Sequence, residues 1–280
     1  MKVRIAENAG FCFGVKRAMS MAWDELENKD NNDVYSLGPL IHNKQAVDKY
    51  KEKGLMEKDS LDKIPSDSKL IIRSHGVPEN IYTESKSKNM NIIDTTCPFV
   101  KKIHDIVKEF YNKGYCIIIV GNATHPEIIG INGWCNNEAI VINREEEIDN
   151  IVFKFNDKYC VVSQTTANLE NFDKIVGKLK NKTDNLIVKN TICFATKERQ
   201  LSAMDLAKEV DCMIVIGGKH SSNTQKLVNI CKDVVPTFSI ETREELEKNK
   251  LEEFKVAGVT AGASTPDWII DEVIEYLKKI

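Results

Sequence analysis

The amino-acid sequence predicts an α/β fold made of three similar small units with mostly parallel sheets. Three observations lead to this prediction: cysteines recur at a fixed interval, β-like and helical segments alternate, and each third contains a late strand that ends in a small polar loop. Strands that alternate with helices form largely parallel sheets, because each crossover helix returns the chain to the same end of the sheet. We place the units at residues 1–96, 97–192 and 193–280.

The fixed interval links the second and third units. Three cysteines of the second unit are each followed by another cysteine 96 residues later. The pairs are Cys97 and Cys193, Cys116 and Cys212, and Cys135 and Cys231. Three matched offsets indicate an internal repeat. Both segments read as a cysteine, an amphipathic helix, a buried strand, a polar loop and a second helix.

The first unit follows the same template with looser spacing. After Cys12, apolar residues at helical spacing predict a helix in FGVKRAMSMAWDEL, and VYSLGPLIHNKQAVDKY supplies a strand, a loop and a second helix. The late strands of the three units read LIIRSHGVP, CVVSQTTAN and VAGVTAGASTP. Loops at the carboxyl ends of parallel strands are the usual ligand sites, so we expect a binding site at these polar loops.

Composition limits the classes of protein to which the chain can belong. Its 280 residues are 42% hydrophobic and carry a formal net charge of −3 without a long basic block, which does not indicate nucleic-acid binding. The first residues lack the apolar segment of a signal peptide, and the apolar runs are too short to cross a bilayer. We therefore expect a cytoplasmic protein in a reducing compartment, with neither a membrane nor a nucleic acid as partner.

The eight cysteines fall into two groups. In a reducing compartment they are core residues, metal ligands or catalytic groups rather than disulfides, and the sequence contains no C-x-x-C pair. Five are expected to pack in the interior as small hydrophobes, namely Cys116, Cys160 and Cys212 in strand patterns and Cys135 and Cys231 after helical segments.

Cys12, Cys97 and Cys193 differ because each stands between a loop and a predicted helix, where backbone N–H groups and the helix dipole favour a thiolate. If the three units surround a pseudo-threefold axis, the three thiolates converge on one centre. A structural zinc site takes four protein ligands, often in closely spaced pairs. A [4Fe–4S] cluster held by only three cysteines would keep one iron open for a substrate. Three unrelated core cysteines are the alternative interpretation.

Neutral or switchable polar side chains occupy loops after the predicted strands. They are His42 and His75 in the first unit, His125, Glu127 and Thr165 in the second, and Ser221, Ser222, Asn223 and Ser264 in the third. Histidines, hydroxyls and an amide beside helix N-termini favour phosphate or diphosphate. No P-loop or G-x-G-x-x-G motif follows a strand, which argues against nucleoside triphosphates and dinucleotides. Arg73 could steer an anion, but we prefer to interpret it as a solvated side chain. His104 is interpreted as a structural or exposed side chain.

Motifs along almost the whole chain resemble those of the LytB/IspH family of 4-hydroxy-3-methylbut-2-enyl diphosphate reductases. In order, they are NAGFCFGVKRA, GPLIHN, RSHGVP, DTTCPFV, HPEIIG, SQTT, NTICFATKERQ, SSNTQKL and TAGASTPDW. The resemblance implies an oxygen-sensitive oxidoreductase that converts (E)-4-hydroxy-3-methylbut-2-enyl diphosphate to isopentenyl and dimethylallyl diphosphate. This two-electron reductive dehydroxylation is the last step of the non-mevalonate (MEP) isoprenoid pathway.

The resemblance also implies a role for each candidate residue. Cys12, Cys97 and Cys193 would ligate a [4Fe–4S] cluster whose open iron binds the substrate hydroxyl. The diphosphate would be held by His42, His75, His125, Ser221, Ser222, Asn223 and Ser264. Glu127 and Thr165, with His125, would organise proton delivery to the leaving oxygen, and Thr165 would also contact the substrate. A ferredoxin or flavodoxin would donate the electrons, and we expect a monomer.

Two other functions stay open on the sequence alone. A redox-neutral iron–sulfur hydro-lyase would also keep an open iron, but it would dehydrate its substrate without an added reductant. A cluster-based electron carrier or sensor would take a fourth cysteine and would need no diphosphate pocket. The three loops that carry histidines argue against the second of these functions.

Overall fold

The computed structural model of the chain describes residues 1–28, 33–154 and 157–280, and it confirms the α/β class. The strands are β1 (Lys2–Ile5), β2 (Val34–Leu37), β3 (Leu55–Lys58), β4 (Lys69–Ile72), β5 (Asn91–Asp94), β6 (Tyr115–Val120), β7 (Ile140–Ile142), β8 (Lys158–Ser163), β9 (Leu186–Val188), β10 (Cys212–Ile216), β11 (Thr237–Ile240) and β12 (Val256–Ala261). The α-helices are α1 (Phe13–Glu27), α2 (Lys44–Glu52), α3 (Glu79–Ser87), α4 (Pro98–Asn112), α5 (Pro126–Asn132), α6 (Leu169–Lys180), α7 (Phe194–Ala207), α8 (Ser222–Lys232) and α9 (Asp267–Lys278). Short 3₁₀ helices cover Leu61–Lys63, Gly133–Cys135, Glu145–Asn150, Arg243–Glu245 and Lys248–Lys250.

The described strands form three four-stranded parallel sheets that share one strand order. The orders are β1-β12-β10-β11, β5-β4-β2-β3 and β9-β8-β6-β7. In each sheet the first-named edge strand leads to one junction cysteine, since β1 precedes Cys12, β5 precedes Cys97 and β9 precedes Cys193. The recurring order confirms the prediction of three similar parallel units, while the boundaries after residues 96 and 192 stay a prediction.

The first strand of the chain pairs with the last. In the parallel register of β1 and β12, Lys2 lies beside Val256 and Ile5 lies beside Val259. The N-terminal strand therefore belongs to the same sheet as the strands of the C-terminal third, whereas β2 to β5 form a sheet of their own.

The chain divides into two compact units, which we call lobe A and lobe B. Lobe A consists of Met1–Met19, Ile41–Lys53 and Phe194–Ile280, and it holds the sheet that contains β1. Lobe B consists of Ser20–Leu40 and Gly54–Cys193, and it holds the other two sheets.

Apolar side chains fill both faces of the sheet in lobe A. Met213 and Val215 of β10 pack in one cluster with Leu227 of α8, whereas Ile214 packs in another with Val273 of α9. This alternation is the two-residue period of a strand. Burial on both faces explains why the strand reads as a continuous apolar run in the sequence.

The helices have defined starts and modest lengths. Asn43 caps α2 by accepting a hydrogen bond from Ala46 N–H at 2.9 Å, and Asn168 does the same for α6 with Asn171 N–H at 2.9 Å. Such caps stabilise a helix by about 1 kcal/mol and fix where the preceding loop ends. The longest α-helices have 15 residues, and none in the described parts of the chain is long and apolar enough to cross a membrane.

Candidate active site

Each of the three junction cysteines stands directly before a helix, as predicted. Cys12 precedes α1, Cys97 is the N-cap residue of α4, and Cys193 precedes α7. Pro98 occupies the first position of α4, where its missing N–H is not needed. All three cysteines are partly exposed.

One hydrogen bond recurs at the three cysteines. The backbone N–H of each donates to a carbonyl in the polar loop that follows the neighbouring strand of its sheet. The acceptors are Ala263 for Cys12 at 3.2 Å, Ser74 for Cys97 at 3.0 Å and Thr165 for Cys193 at 2.8 Å. In each case the acceptor residue or the one after it is predicted to bind substrate. Each candidate metal ligand is therefore tied directly to a candidate substrate-binding loop.

The prediction of interior packing is confirmed for four of the other five cysteines. Cys135, Cys160, Cys212 and Cys231 are 0% exposed. Burial raises the pKa of each of these thiols to about 11, so they stay protonated near neutral pH and are poor metal ligands. The prediction is wrong for Cys116, which is exposed because only the last four residues of β6 are buried.

The three junction cysteines are divided between the two lobes. Within the described ranges, no group of three or more histidine, cysteine, aspartate or glutamate side chains is arranged to hold a metal ion. Cys97 and Cys193 belong to lobe B, and Cys12 belongs to lobe A. Cysteine thiolates are the donors that iron–sulfur clusters take, and the three junction cysteines are partly exposed.

Glu127 and Thr165 form a buried contact with two hydrogen bonds in lobe B. Oε1 of Glu127 accepts from Thr165 N–H at 2.6 Å, and Oε2 accepts from the Thr165 hydroxyl at 2.8 Å. Glu127 is only 3% exposed, and it is the second residue of α5, where the helix dipole favours a carboxylate. The structure thus brings together the two residues that are predicted to organise proton delivery.

His125 lies beside this pair as the N-cap residue of α5. Its Nδ1 accepts a hydrogen bond from Glu127 N–H at 3.1 Å. A neutral ring whose Nδ1 accepts carries its proton on Nε2, which can then donate to an anion. The ring of His75 meets that of His125 edge-on, with centroids 5.6 Å apart. Two predicted diphosphate ligands and the proposed proton donor therefore lie side by side in lobe B.

The loop that carries His75 is supported by two aromatic side chains. Gly76 has a φ of +72°, and a Cβ at this position would lie 2.5 Å from Cε1 of His104. Trp134 Nε1 donates to the carbonyl of Val77 at 3.0 Å, and its ring stacks on His104 with centroids 5.0 Å apart. The structural interpretation of His104 is confirmed, since it is 1% exposed. The support that it and Trp134 give to the His75 loop is not visible in the sequence, where only the glycine after His75 hints at close packing.

Replacing Gly76 by alanine is expected to lower the free energy of unfolding by about 1–3 kcal/mol, because a side chain is strained at this φ and would overlap His104. Urea unfolding measures the change. Gly177→Ala in α6 is the matched control, because a Cβ there meets nothing within 4 Å. That substitution should stabilise the chain by about 0.5–1 kcal/mol. Equal effects of the two substitutions would contradict the tight packing at Gly76.

Burial of His104 should make stability depend on pH. Desolvation is the main cause that lowers its pKa to about 4; the charge of Asp94 has a smaller effect that raises the pKa, and that of Lys101 has a smaller effect that lowers it further. The unfolded chain, with a histidine pKa of about 6.5, binds a proton that the folded chain does not bind between these values. The free energy of unfolding should therefore fall as the pH drops from about 6.5 to about 4, by about 3 kcal/mol at most. Urea titrations at both ends of this window should show a smaller fall for His104→Phe than for the parent, and equal falls would refute the assignment.

Lobe A contains the remaining residues that are predicted to bind substrate. Asn223, in the first turn of α8, is 4% exposed, and both atoms of its amide group lack a hydrogen-bond partner among the described residues. A buried amide in this state is costly unless a ligand satisfies it. Ser221 caps α8 by accepting from Thr224 N–H at 3.4 Å, and Ser222 is the partly exposed first residue of the helix. The start of α8 thus offers polar groups to a ligand.

The loop that carries His42 lies against two other polar loops of lobe A. The hydroxyl of Ser264 donates to the carbonyl of His42 at 3.1 Å. A Cβ at Gly218 would lie 2.7 Å from the same carbonyl oxygen, so only glycine fits there without a shift. Since Ala263 accepts the N–H of Cys12, the structure joins His42, Ser264 and Cys12 within this lobe.

Arg73 is not the solvated side chain that the sequence predicts. It is only partly exposed, and burial lowers the pKa of its guanidinium, with Glu57 acting in the opposite direction. Its guanidinium lies over Gly38, whose φ is +74°: a Cβ added at Gly38 would be only 2.6 Å from Nη1 of Arg73. The side chain therefore packs over the loop after β2 instead of extending into water.

The relatives of the chain are found over its full length. A model of the LytB protein family matches residues 3–278. A 4-hydroxy-3-methylbut-2-enyl diphosphate reductase from Clostridioides difficile (strain 630) is 61% identical over 280 residues, and 100% of both chains is covered. A protein of the same name from Alkaliphilus oremlandii (strain OhILAs) is 49% identical over 282 residues, again with 100% of both chains covered.

Two solved structures resemble the chain in fold. One is (E)-4-hydroxy-3-methyl-but-2-enyl diphosphate reductase, described as the terminal enzyme of the non-mevalonate pathway; it is 41% identical, with a TM-score of 0.76 and 100% of both chains covered. The other is E-1-hydroxy-2-methyl-but-2-enyl-4-diphosphate reductase from Plasmodium falciparum, which is 29% identical with a TM-score of 0.91, over 99% of this chain and 87% of that one. The motifs, the family model, the relatives and the folds agree, and the chain belongs to the LytB family.

Proposed function

We propose that the chain converts (E)-4-hydroxy-3-methylbut-2-enyl diphosphate to isopentenyl and dimethylallyl diphosphate by two-electron reductive dehydroxylation. Its membership in a family of reductases makes it an oxidoreductase of the non-mevalonate isoprenoid pathway. The observation that carries the proposal is the buried pair of Glu127 and Thr165 beside His125, because removal of a hydroxyl group needs a proton donor next to the bound anion.

The LytB family uses an iron–sulfur cluster, which supplies single electrons and a Lewis-acidic iron when it is bound. We propose Cys12, Cys97 and Cys193 as the three ligands of a [4Fe–4S] cluster with one open iron. Their partial exposure at helix N-termini supports this assignment, and so does the raised pKa of the four buried thiols, which makes those four poor alternatives.

The diphosphate is assigned to seven side chains of the polar loops. They are His42, His75, His125, Ser221, Ser222, Asn223 and Ser264. In lobe A, the buried amide of Asn223 supports this assignment, because both its donor and its acceptor lack a partner among the described residues. In lobe B, the Nε2–H of a neutral His125 is available to donate to a phosphate oxygen.

Proton delivery is assigned to Glu127 acting through Thr165. A protonated Glu127 would donate from Oε2 to the Thr165 hydroxyl, 2.8 Å away, while that hydroxyl donates its own proton to the leaving oxygen. The bond from Thr165 N–H to Oε1 fixes the carboxyl group during this transfer. His125 holds the start of α5 in place through its bond to Glu127 N–H.

We propose a ferredoxin or flavodoxin as the electron donor, together with a monomeric state and a cytoplasmic location. Small one-electron carriers suit a reaction that takes up its two electrons separately, and the nearly balanced charge of the chain does not indicate a nucleic acid as partner.

Anaerobic purification followed by chemical analysis of iron and sulfide tests the proposal. The protein is then assayed with the allylic diphosphate in the presence and absence of dithionite. We expect bound iron and sulfide and turnover only with the reductant. Turnover without a reductant would favour a redox-neutral hydro-lyase. A cluster-containing protein that neither binds nor converts the diphosphate would favour an electron carrier or sensor.

A further inference from the structure

Helix α7, which begins directly after Cys193, carries an arginine on its buried face. Arg199 is 2% exposed, and Ala203 and Leu206, four and seven positions later, are buried as well. Positions with this spacing share one face of a helix. A guanidinium buried on an apolar face requires acceptors for its N–H groups.

The acceptors are backbone carbonyls of the segment between β1 and Cys12. Nε of Arg199 donates to the carbonyl of Asn8 at 2.8 Å, and Nη2 donates to the carbonyl of Gly10 at 2.9 Å. One helical turn further on, the hydroxyl of Ser202 donates to the carbonyl of Glu7 at 2.5 Å. We call residues 7–10 the 7–10 loop; α7 holds it through three carbonyls, and Arg199 alone holds two of them.

The 7–10 loop has a conformation that needs such support. Asn8 and Gly10 have φ values of +62° and +89°, in the left-handed region that side chains rarely adopt. The N–H of Gly10 donates to the carbonyl of Ala261 at a long 3.4 Å, so the hydrogen bond from Arg199 to its carbonyl is the shorter of the two. Without the guanidinium, the carbonyl of Gly10 would lose a buried hydrogen bond and the carbonyl of Asn8 a partly buried one, and the loop would relax.

Cys12 depends on this loop more than the other two junction cysteines depend on theirs. Six residues separate β1 from Cys12, whereas two separate β5 from Cys97 and four separate β9 from Cys193. A longer connection has more conformational freedom, so the position of Cys12 is less determined by its strand. The hydrogen bond from Arg199 to the carbonyl of Gly10, two residues before Cys12, restricts this freedom and so helps to fix the position of Cys12.

We propose that Arg199 is a positioning residue for Cys12, which it holds in place by clamping the carbonyls of Asn8 and Gly10. The inference rests on the proposed function of Cys12 as a cluster ligand. Replacing residues that orient a metal ligand typically costs about 10- to 100-fold in metal affinity. The guanidinium fork matters as well as the charge, because an ammonium group cannot span two carbonyls in fixed geometry.

The reactivity of Cys12 in the full chain, before the cluster is reconstituted, tests the inference. Iodoacetamide alkylation followed by peptide mass spectrometry gives separate rates for Cys12, Cys97 and Cys193. We expect Arg199→Met to change the rate at Cys12 several-fold relative to the other two cysteines. The apparent affinity for the reconstituted cluster should fall about 10- to 100-fold. Arg199→Lys should change both the Cys12 alkylation rate and the cluster affinity by less than Arg199→Met does.

Two control variants separate positioning from a general effect on the fold. Ser202→Ala removes the bond to Glu7, five residues before Cys12, and a contact with the carbonyl of Arg199 within α7, but it leaves the guanidinium in place. It should change the Cys12 rate less than Arg199→Met does. Arg4→Met removes an arginine of the same lobe whose side chain is 44% exposed and pairs with Glu209, and it should leave all three rates unchanged.

A lower melting temperature of Arg199→Met with unchanged proportions of the three alkylation rates would overturn the inference, because Arg199 would then have only a structural role. If Arg199→Met does not fold, the three alkylation rates and the melting temperature of Arg199→Lys are compared with those of the parent instead, and they test the inference in the same way. A Cys12→Ser variant that binds the cluster as the parent does would overturn the proposed ligand role of Cys12. A selective change at Cys12 in the Arg199 variants would still support positioning in that case.

Discussion

Glu127→Gln is expected to retain the iron–sulfur cluster and to lose about 10²- to 10⁴-fold in turnover, the usual contribution of a general acid. The amide has nearly the shape of the carboxyl group, and its oxygen can still accept Thr165 N–H, which now lies 2.6 Å from Oε1. The amide nitrogen can donate a hydrogen bond to the Thr165 hydroxyl, but it is far too weak an acid to release a proton to it. Initial rates with dithionite measure the turnover, and the iron and sulfide content per chain measures how much cluster is retained.

Substitutions of Thr165 provide the matched comparison for the relay. Thr165→Ser keeps the hydroxyl that contacts Oε2 of Glu127 and should keep most of the turnover. Thr165→Val keeps the branched shape and the backbone N–H bond but lacks the hydroxyl, so it should lose turnover as Glu127→Gln does. Normal turnover in both Glu127→Gln and Thr165→Val would rule out proton delivery by this pair.

Cys97→Ser should lose the cluster and the activity together. A serine hydroxyl ionises far less readily than a thiol, so it is a weak ligand for iron. The backbone bond from residue 97 to Ser74 does not involve the side chain and should remain, which keeps the fold intact. Iron and sulfide per chain, visible absorption and melting temperature distinguish loss of the cluster from unfolding.

Cys116→Ser is the matched control, because Cys116 belongs to the same 96-residue repeat as Cys97 but is exposed on β6. It should bind as much iron as the parent. Cys12→Ser and Cys193→Ser should behave as Cys97→Ser does. Retention of a full cluster in Cys97→Ser, or its loss in Cys116→Ser, would contradict the assignment of the three ligands.

The parts of the structure that the sequence predicts correctly depend on local patterns and on the repeat. Apolar periods indicate the strands and helices, and the 96-residue interval indicates that two of the sheets are alike. Placing Cys97 before a helix requires only Pro98 and the amphipathic run that follows. Glu127 and Thr165 are found together because both follow neighbouring strands of one parallel sheet, whose carboxyl ends share an edge.

The parts that the sequence does not predict depend on contacts between distant segments. Periodicity identifies β1 as a strand but not β12 as its partner. It does not show where a strand leaves the interior, which is why Cys116 is exposed. Arg199 does carry a local signal, since it interrupts the apolar face of α7, but its partners in the 7–10 loop lie nearly two hundred residues away in the chain.

The pairing of β1 with β12 sets an order of events during protein synthesis. The ribosome makes residues 2–5 long before residues 256–259, so β1 has no β12 to pair with while the sheets of lobe B can already form. The bond from Cys12 N–H to Ala263 cannot form before that point. Any group that needs Cys12 in its final position must therefore enter a chain in which residues 256–263 have already been made, and a nascent chain halted before β12 would be unable to retain it.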